Sequence, residues 1–186
     1  QKWCPQKMRS AIADQLVDWH KSQSDFEPEK IVRFLDYLSD QKAALEFLKN
    51  AASQSEDKGE SAQAITLYQK IADQLENKKD AQEEWKNAKR RLATLFLYQG
   101  KYEASEDCLS AVEQKHGQLN IEDLKLRGII MRVQRKPEEA GRIYEQALSL
   151  IKEDHSNPTY LFILNERAQA FVRWEGQKSL LSVPQN

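Results

Sequence analysis

Three stretches of this chain repeat one helix-turn-helix lettering, and that self-similarity limits its architecture more than any other feature. They are LKNAASQSEDKGESAQAITLYQKIA (48–72), KRRLATLFLYQGKYEASEDCLSAV (89–112) and LKLRGIIMRVQRKPEEAGRIYEQAL (124–148). Aligned on an alanine early in each second helix, Ala64, Ala104 and Ala140, they carry Tyr68, Cys108 and Tyr144 four residues later. Ile71, Ala111 and Ala147 follow three beyond that. Each first helix has a small residue, Ala52, Ala93 or Gly128. The anchors lie 40 and 36 residues apart, and on this alignment the second copy is one turn residue short. A unit of this size cannot bury its own apolar face, so successive units must stack.

The lettering has a physical reading. Two antiparallel helices approach closely only where side chains are small, so Ala52, Ala93 and Gly128 are expected to face the anchor alanines. Lys58-Gly59 and Gln99-Gly100 supply residues tolerant of positive φ at helix ends, and Pro137 opens a helix where its missing N–H costs nothing. With six glycines and five prolines in 186 residues, and no Asn-Gly or Asp-Gly hairpin signal, the chain reads as all-helical.

The Gly100-x-Tyr102-x-Ala104 and Ala140-x3-Tyr144-x2-Ala147 patterns, with the small first-helix residues, resemble the tetratricopeptide repeat (TPR) family over about residues 43–175. The usual first-helix Trp is replaced by Leu48, Lys89 and Leu124, and a repeat-ending proline appears only at Pro158. The resemblance implies an all-α solenoid of antiparallel helix pairs, a TPR-like superhelix of about three repeats plus flanking helices.

The ends are less regular. Met8, Ile12, Leu16 and Trp19 recur on one helical face, and after Pro28 come Ile31, Phe34, Leu35 and Leu38, so residues 1–41 are expected to form a capping hairpin or degenerate repeat. Residues 42–156 hold the three repeats. Residues 157–186 begin with Asn157-Pro158 and an apolar helix through Trp174, with Gly176 at the turn and Ala168 in the small-residue position. This reads as the first helix of an incomplete fourth repeat. A helix so apolar needs cover, from Leu180, Leu181 and Val183, from a missing segment, or from a partner. With Gln1 in place of an initiator Met, the expectation is a processed or excised piece of a longer protein.

Little suggests catalysis. His20, His116 and His155 are far apart, and no HExxH, CxxC, P-loop, GxGxxG or GxSxG occurs, so no metal, cofactor or enzymatic activity is expected. His116 before Gly117 reads as a helix-end cation. Cys4 and Cys108 are too few for a disulfide framework, and Cys108 sits on an apolar stripe as a small hydrophobe. A net charge of −1 gives no pull toward nucleic acid or an anionic membrane, and no apolar run is long enough to span a bilayer. A cytoplasmic location is the default expectation. All four tryptophans read as packing, and Trp85, among Glu83, Glu84, Lys86 and Asn87, is the one placed to serve instead as a surface anchor for a partner.

Protein binding is therefore the expected function, that of a scaffold or adaptor. In the TPR family, ligands touch the inner faces of the first helices. The resemblance places Glu46, Lys49, Ser53 and Glu56 there in the first repeat, and Asn87, Arg90, Thr94, Leu97 and Tyr98 in the second. The third supplies Glu122, Lys125, Ile129, Arg132 and Val133, and the last helix Phe162, Asn165, Gln169, Val172 and Arg173. Cations at 90, 125, 132 and 173 interleaved with apolar residues suit an acidic amphipathic segment. Reversing Arg90 and Arg132 to Glu is expected to weaken binding without unfolding the chain. A clamp for chaperone tails is disfavoured, because Ser53 and Thr94 stand where that clamp carries Asn. Two further expectations are a regulatory domain driven by a bound peptide and a homodimer through the apolar last helix.

Overall fold

The computed structural model describes residues 6–22, 32, 34–35, 37–151 and 156–181, with backbone alone at 20, 21 and 176–181. Among these residues every regular element is a helix: α1 (Gln6–Lys21), α2 (Gln41–Asp57), α3 (Ser61–Leu75), α4 (Gln82–Tyr98), α5 (Tyr102–His116), α6 (Ile121–Val133), α7 (Pro137–Ser149) and α8 (Pro158–Leu181). A 3-10 turn, Lys79–Ala81, precedes α4. The three repeats are the pairs α2/α3, α4/α5 and α6/α7.

Several helices begin where the sequence can satisfy their unpaired N–H groups. Asp40 accepts from the amides of Lys42 and Ala43 at 2.9 and 3.0 Å. Asn120 and Asp123 form a reciprocal capping box. Asn157 Oδ1 accepts from Thr159 and Tyr160 at 2.9 and 3.3 Å, and Pro137 occupies the first turn of α7.

The turn inside each pair is one motif used three times. Glu60, Lys101 and Lys136 donate their amides back to Ser55, Phe96 and Met131 at 2.8, 2.9 and 2.9 Å. The residue before each donor is left-handed: Gly59 (φ 77°), Gly100 (φ 72°) and, in the third pair, Arg135 (φ 61°). This is the Schellman closure, and it favours glycine at the left-handed position. Arg135 is an exposed non-glycine doing a glycine's work. Arg135→Gly is expected to stabilise the chain by about 0.5 kcal/mol, the left-handed penalty relieved less the entropy glycine adds to the unfolded state; urea titration would show it, and a loss of stability would contradict it.

Burial corrects the second repeat. Ala104 is only half-buried, whereas Ser105, Leu109 and Val112 are buried. Ser105 therefore faces Ala93, and its Oγ donates to the Ala93 carbonyl at 2.6 Å. The facing pairs Ala52/Ala64, Ala93/Ser105 and Gly128/Ala140 then share one spacing, and no turn residue is missing. Alanine at 104 is the more obvious small residue, but serine fits equally once its hydroxyl has a carbonyl to bond.

Three other expectations change. In α1 the buried residues are Ala13 and Val17, while Met8, Ile12 and Trp19 are about half exposed; the helix packs by its smaller residues. Leu35 and Leu38 are buried, but Pro28 and Ile31 lie outside the described residues. Trp85 is 2% exposed, a core residue with Lys89 over its ring at 5.6 Å, and not a surface anchor. The last helix does not turn at Gly176 but continues to Leu181. One glycine costs about 1 kcal/mol in a helix, too little to stop one followed by Gln, Lys and Leu. The side chains of Leu180 and Leu181, and all of Val183, are outside the described residues, as is Cys4. Cys108 is a buried thiol.

The chain divides into two compact units, residues 1–89 and 90–186, with the boundary inside α4. Among the described residues no helix is long and apolar enough to cross a membrane.

Candidate functional site

The eleven residues expected to carry partner binding, Arg90 through Arg173, all fall in the second unit, on the latter part of α4 and on α6 and α8. Those helices touch through side chains of the expected inner row. Arg90 grips Asp123 with two nitrogens, Nε to Oδ1 at 2.5 Å and the second guanidinium nitrogen to Oδ2 at 3.0 Å. Lys125 Nζ lies 5.6 Å from the Phe162 ring centroid and 2.5 Å from Glu122. Arg132 Nε lies 2.7 Å from Glu166 Oε2.

These contacts change the electrostatics of the row. Asp123 is 2% exposed and Glu166 is 7% exposed, so Arg90 and Arg132 neutralise carboxylates that could not be buried unpaired. In the first unit Lys49 also pairs with carboxylates, though exposed ones, joining Glu84 at 2.8 Å and Glu46 at 2.9 Å. Burial lowers the Lys49 pKa, but those two carboxylates outweigh it and the net shift is upward. A basic residue three positions before the small residue of a first helix thus reaches the next first helix in each case: Lys49, Arg90 and Lys125. Charge reversal at Arg90 and Arg132 is consequently not a clean probe of binding, contrary to the expectation from sequence, because it sets Glu against Asp123 and Glu166.

What the row leaves to solvent is mostly apolar and amide. Tyr98 is 81% exposed, Phe162 39% and Val133 37%. Asn165, Gln169 and Arg173 are also exposed, and Thr94, Leu97 and Ile129 are half-exposed. Thr94 turns its hydroxyl onto the Arg90 carbonyl at 3.0 Å. Sequence reasoning located these positions but missed the acidic residues opposite them, Asp123 and Glu166, which lie off the expected inner face.

Beneath the row sits a buried polar knot. Tyr144 is fully buried and its hydroxyl donates to Glu166 Oε2 at 3.2 Å. Burial pushes the Tyr144 hydroxyl well above the usual tyrosine pKa, and the Glu166 charge adds to the effect while Arg132 opposes it. A folded-state pKa above the unfolded one favours the neutral form. That contribution is full below the unfolded value near 10 and is lost as pH climbs above it. The wild type is therefore expected to lose more stability than Tyr144→Phe between about pH 9 and about pH 11, measured by urea midpoints at each pH; parallel curves would contradict this. At neutral pH the same substitution should cost about 1 kcal/mol. Tyr68 makes a matching bond to Glu56 at 2.9 Å in the first pair.

Among the described residues no three His, Cys, Asp or Glu side chains gather as a metal site. The sequence matches no protein-family model and no curated protein. Solved structures do resemble it. The TPR-like repeats of a Podosopora anserina protein assigned as a kinesin light chain align at 14% identity and TM-score 0.61, over 93% of this chain and 87% of that one. MamA of Desulfovibrio magneticus RS-1 aligns at 16% identity and TM-score 0.52, covering 97% of each. The P58(IPK) TPR domain aligns at 15% and 0.53, over 92% of this chain and 56% of that one. At such identities the likeness speaks to fold.

Proposed function

We propose that this chain, whose fold is that of TPR-like helical repeats, is a non-enzymatic protein-interaction module that holds a partner segment along the first-helix row of its second unit. The observation that carries this reading is the exposed set Tyr98, Val133, Phe162, Asn165, Gln169 and Arg173 on first helices that touch one another. Aromatic and aliphatic side chains supply contact area, and the amides fix orientation, the usual division of labour in an interface.

The partner's character follows from which charges remain available. Arg90 and Arg132 are committed to Asp123 and Glu166, so an evenly acidic peptide gains little from them. An amphipathic segment with a carboxylate near Arg173 fits better. A chaperone-tail clamp remains disfavoured, since Lys49 and Arg90 already hold carboxylates.

A photo-crosslinking residue placed at Tyr98 or at Gln169, compared with one at exposed Arg142 on α7, tests the site. Adducts to the same protein from 98 and 169, absent from 142, are expected in cell extract. Adducts from 142 alone would move the binding face off the first helices.

A further inference from the structure

The contacts of α8 fix its place in the repeat. Arg127 of α6 reaches back to α5, to Glu106 and Glu113 at 2.8 Å each and to Ser110 at 3.3 Å. Arg167 of α8 reaches back to Glu145 of α7 at 3.0 Å, and Glu145 stands five residues after Ala140 as Ser110 stands five after Ser105. So α8 sits on α7 as a first helix sits on the preceding second helix. The face of α6 bearing Leu124, Gly128 and Met131 is buried, with Tyr144 of α7 lying against Gly128. The equivalent face of α8 bears Leu161, Leu164, Ala168 and Phe171. Here Ala168 is exposed, Leu161 is 44% exposed and Phe171 58%, with Val172 beside them at 69%. Phe171 also walls a cleft of about 290 Å³ with Pro137, Gly141, Arg142, Arg167 and Trp174, so the uncovered surface continues onto α7.

We infer that this face is covered by α8 of a second copy, the two helices antiparallel about a two-fold axis, each lying against the other as a second helix lies against a first within a repeat. The spacing is self-complementary. In an antiparallel pair centred on the stripe, Leu161 meets Phe171 of the second copy and Leu164 meets its Ala168. The Leu164–Ala168 contact sets large against small, as Tyr144 falls against Gly128 within the third repeat. Charge permits it too: Arg167 and Glu175, which border the stripe, fall opposite Asn165 and Asn157 of the second copy, and no like charges meet. Leu161, Phe171 and Val172 together offer about 300 Å² of apolar surface per copy, estimated from typical side-chain areas. That is small for a permanent dimer and suits a reversible one.

Sedimentation equilibrium of the whole chain tests this. The weight-average mass is expected to climb from one copy toward two between about 1 and about 500 µM, the behaviour of an interface at the small end of the size scale. Ala168→Glu and Phe171→Gln should each raise the dissociation constant more than about tenfold, since they strike the centre and the largest anchor. Both positions are exposed, so helicity and melting of the dilute monomer should be unchanged. A mass that stays at one copy throughout overturns the proposal, as does self-association that survives both substitutions.

Discussion

Gly128→Ala is expected to cost about 2–3 kcal/mol of stability, although alanine is the better helix former by about 1 kcal/mol. A Cβ at this position would lie 2.3 Å from Cε1 of Tyr144, 2.6 Å from Cζ and 2.8 Å from Cδ1. No real packing tolerates such distances, so the ring or a helix must move. The ring has nowhere easy to go: Tyr144 is fully buried, and its hydroxyl is tied to Glu166, which Arg132 holds in turn. Moving it strains that knot as well as the α6/α7 seam. Urea unfolding followed by circular dichroism would give the cost. In the double variant with Tyr144→Leu, the penalty of alanine should largely vanish, because a smaller side chain leaves room for the methyl. A Gly128→Ala protein as stable as the wild type would mean that α6 and α7 are not held at this distance.

The same position shows what the sequence made legible. Gly128, Ala52 and Ala93 could be recognised as close-approach residues because a small side chain at a fixed distance from a turn, in three copies, marks where two helices meet. The turns could be read because Gly59, Gly100 and Pro137 have backbone preferences that act locally. Ser105 is hidden from such a reading because its suitability depends on a carbonyl twelve residues away, and the packed face of α1 is hidden because bulk alone does not say which side meets a neighbour. The inner-row positions followed from register. Their charge state did not, since Arg90 finds Asp123 and Arg132 finds Glu166 33 and 34 residues further on, across a stacking contact that no local pattern encodes. Arg135 is the opposite case, a local rule broken in one copy of a motif that the other two copies obey.

Asp123→Ala is expected to be the most damaging single change, at about 3–4 kcal/mol, because this carboxylate serves two structures at once. One oxygen receives Arg90 Nε at 2.5 Å, and the other receives the second guanidinium nitrogen at 3.0 Å and the Asn120 amide at 3.3 Å. Removing it breaks both bonds to a guanidinium only a quarter exposed and opens the capping box of α6. Asp123→Asn should fall between, near 2 kcal/mol, since it keeps the size and one acceptor but loses the charge. If the loss comes from stranding Arg90, then replacing the pair together, Arg90→Met with Asp123→Leu, should recover much of it, because well-packed apolar residues can replace a buried ion pair at little cost. Thermal and urea unfolding of these variants would separate the effects. The outcome also bears on function. A large loss for Asp123→Ala with recovery in the apolar pair makes Arg90 a structural tie, and weakened partner binding in an Arg90→Glu variant then reports damage to the row and not a lost contact with the partner. A loss within about 0.5 kcal/mol, the range of an ordinary surface substitution, would instead leave the Arg90 guanidinium dispensable to the fold, and would return it to the surface as a cation to which a partner's carboxylate can bind.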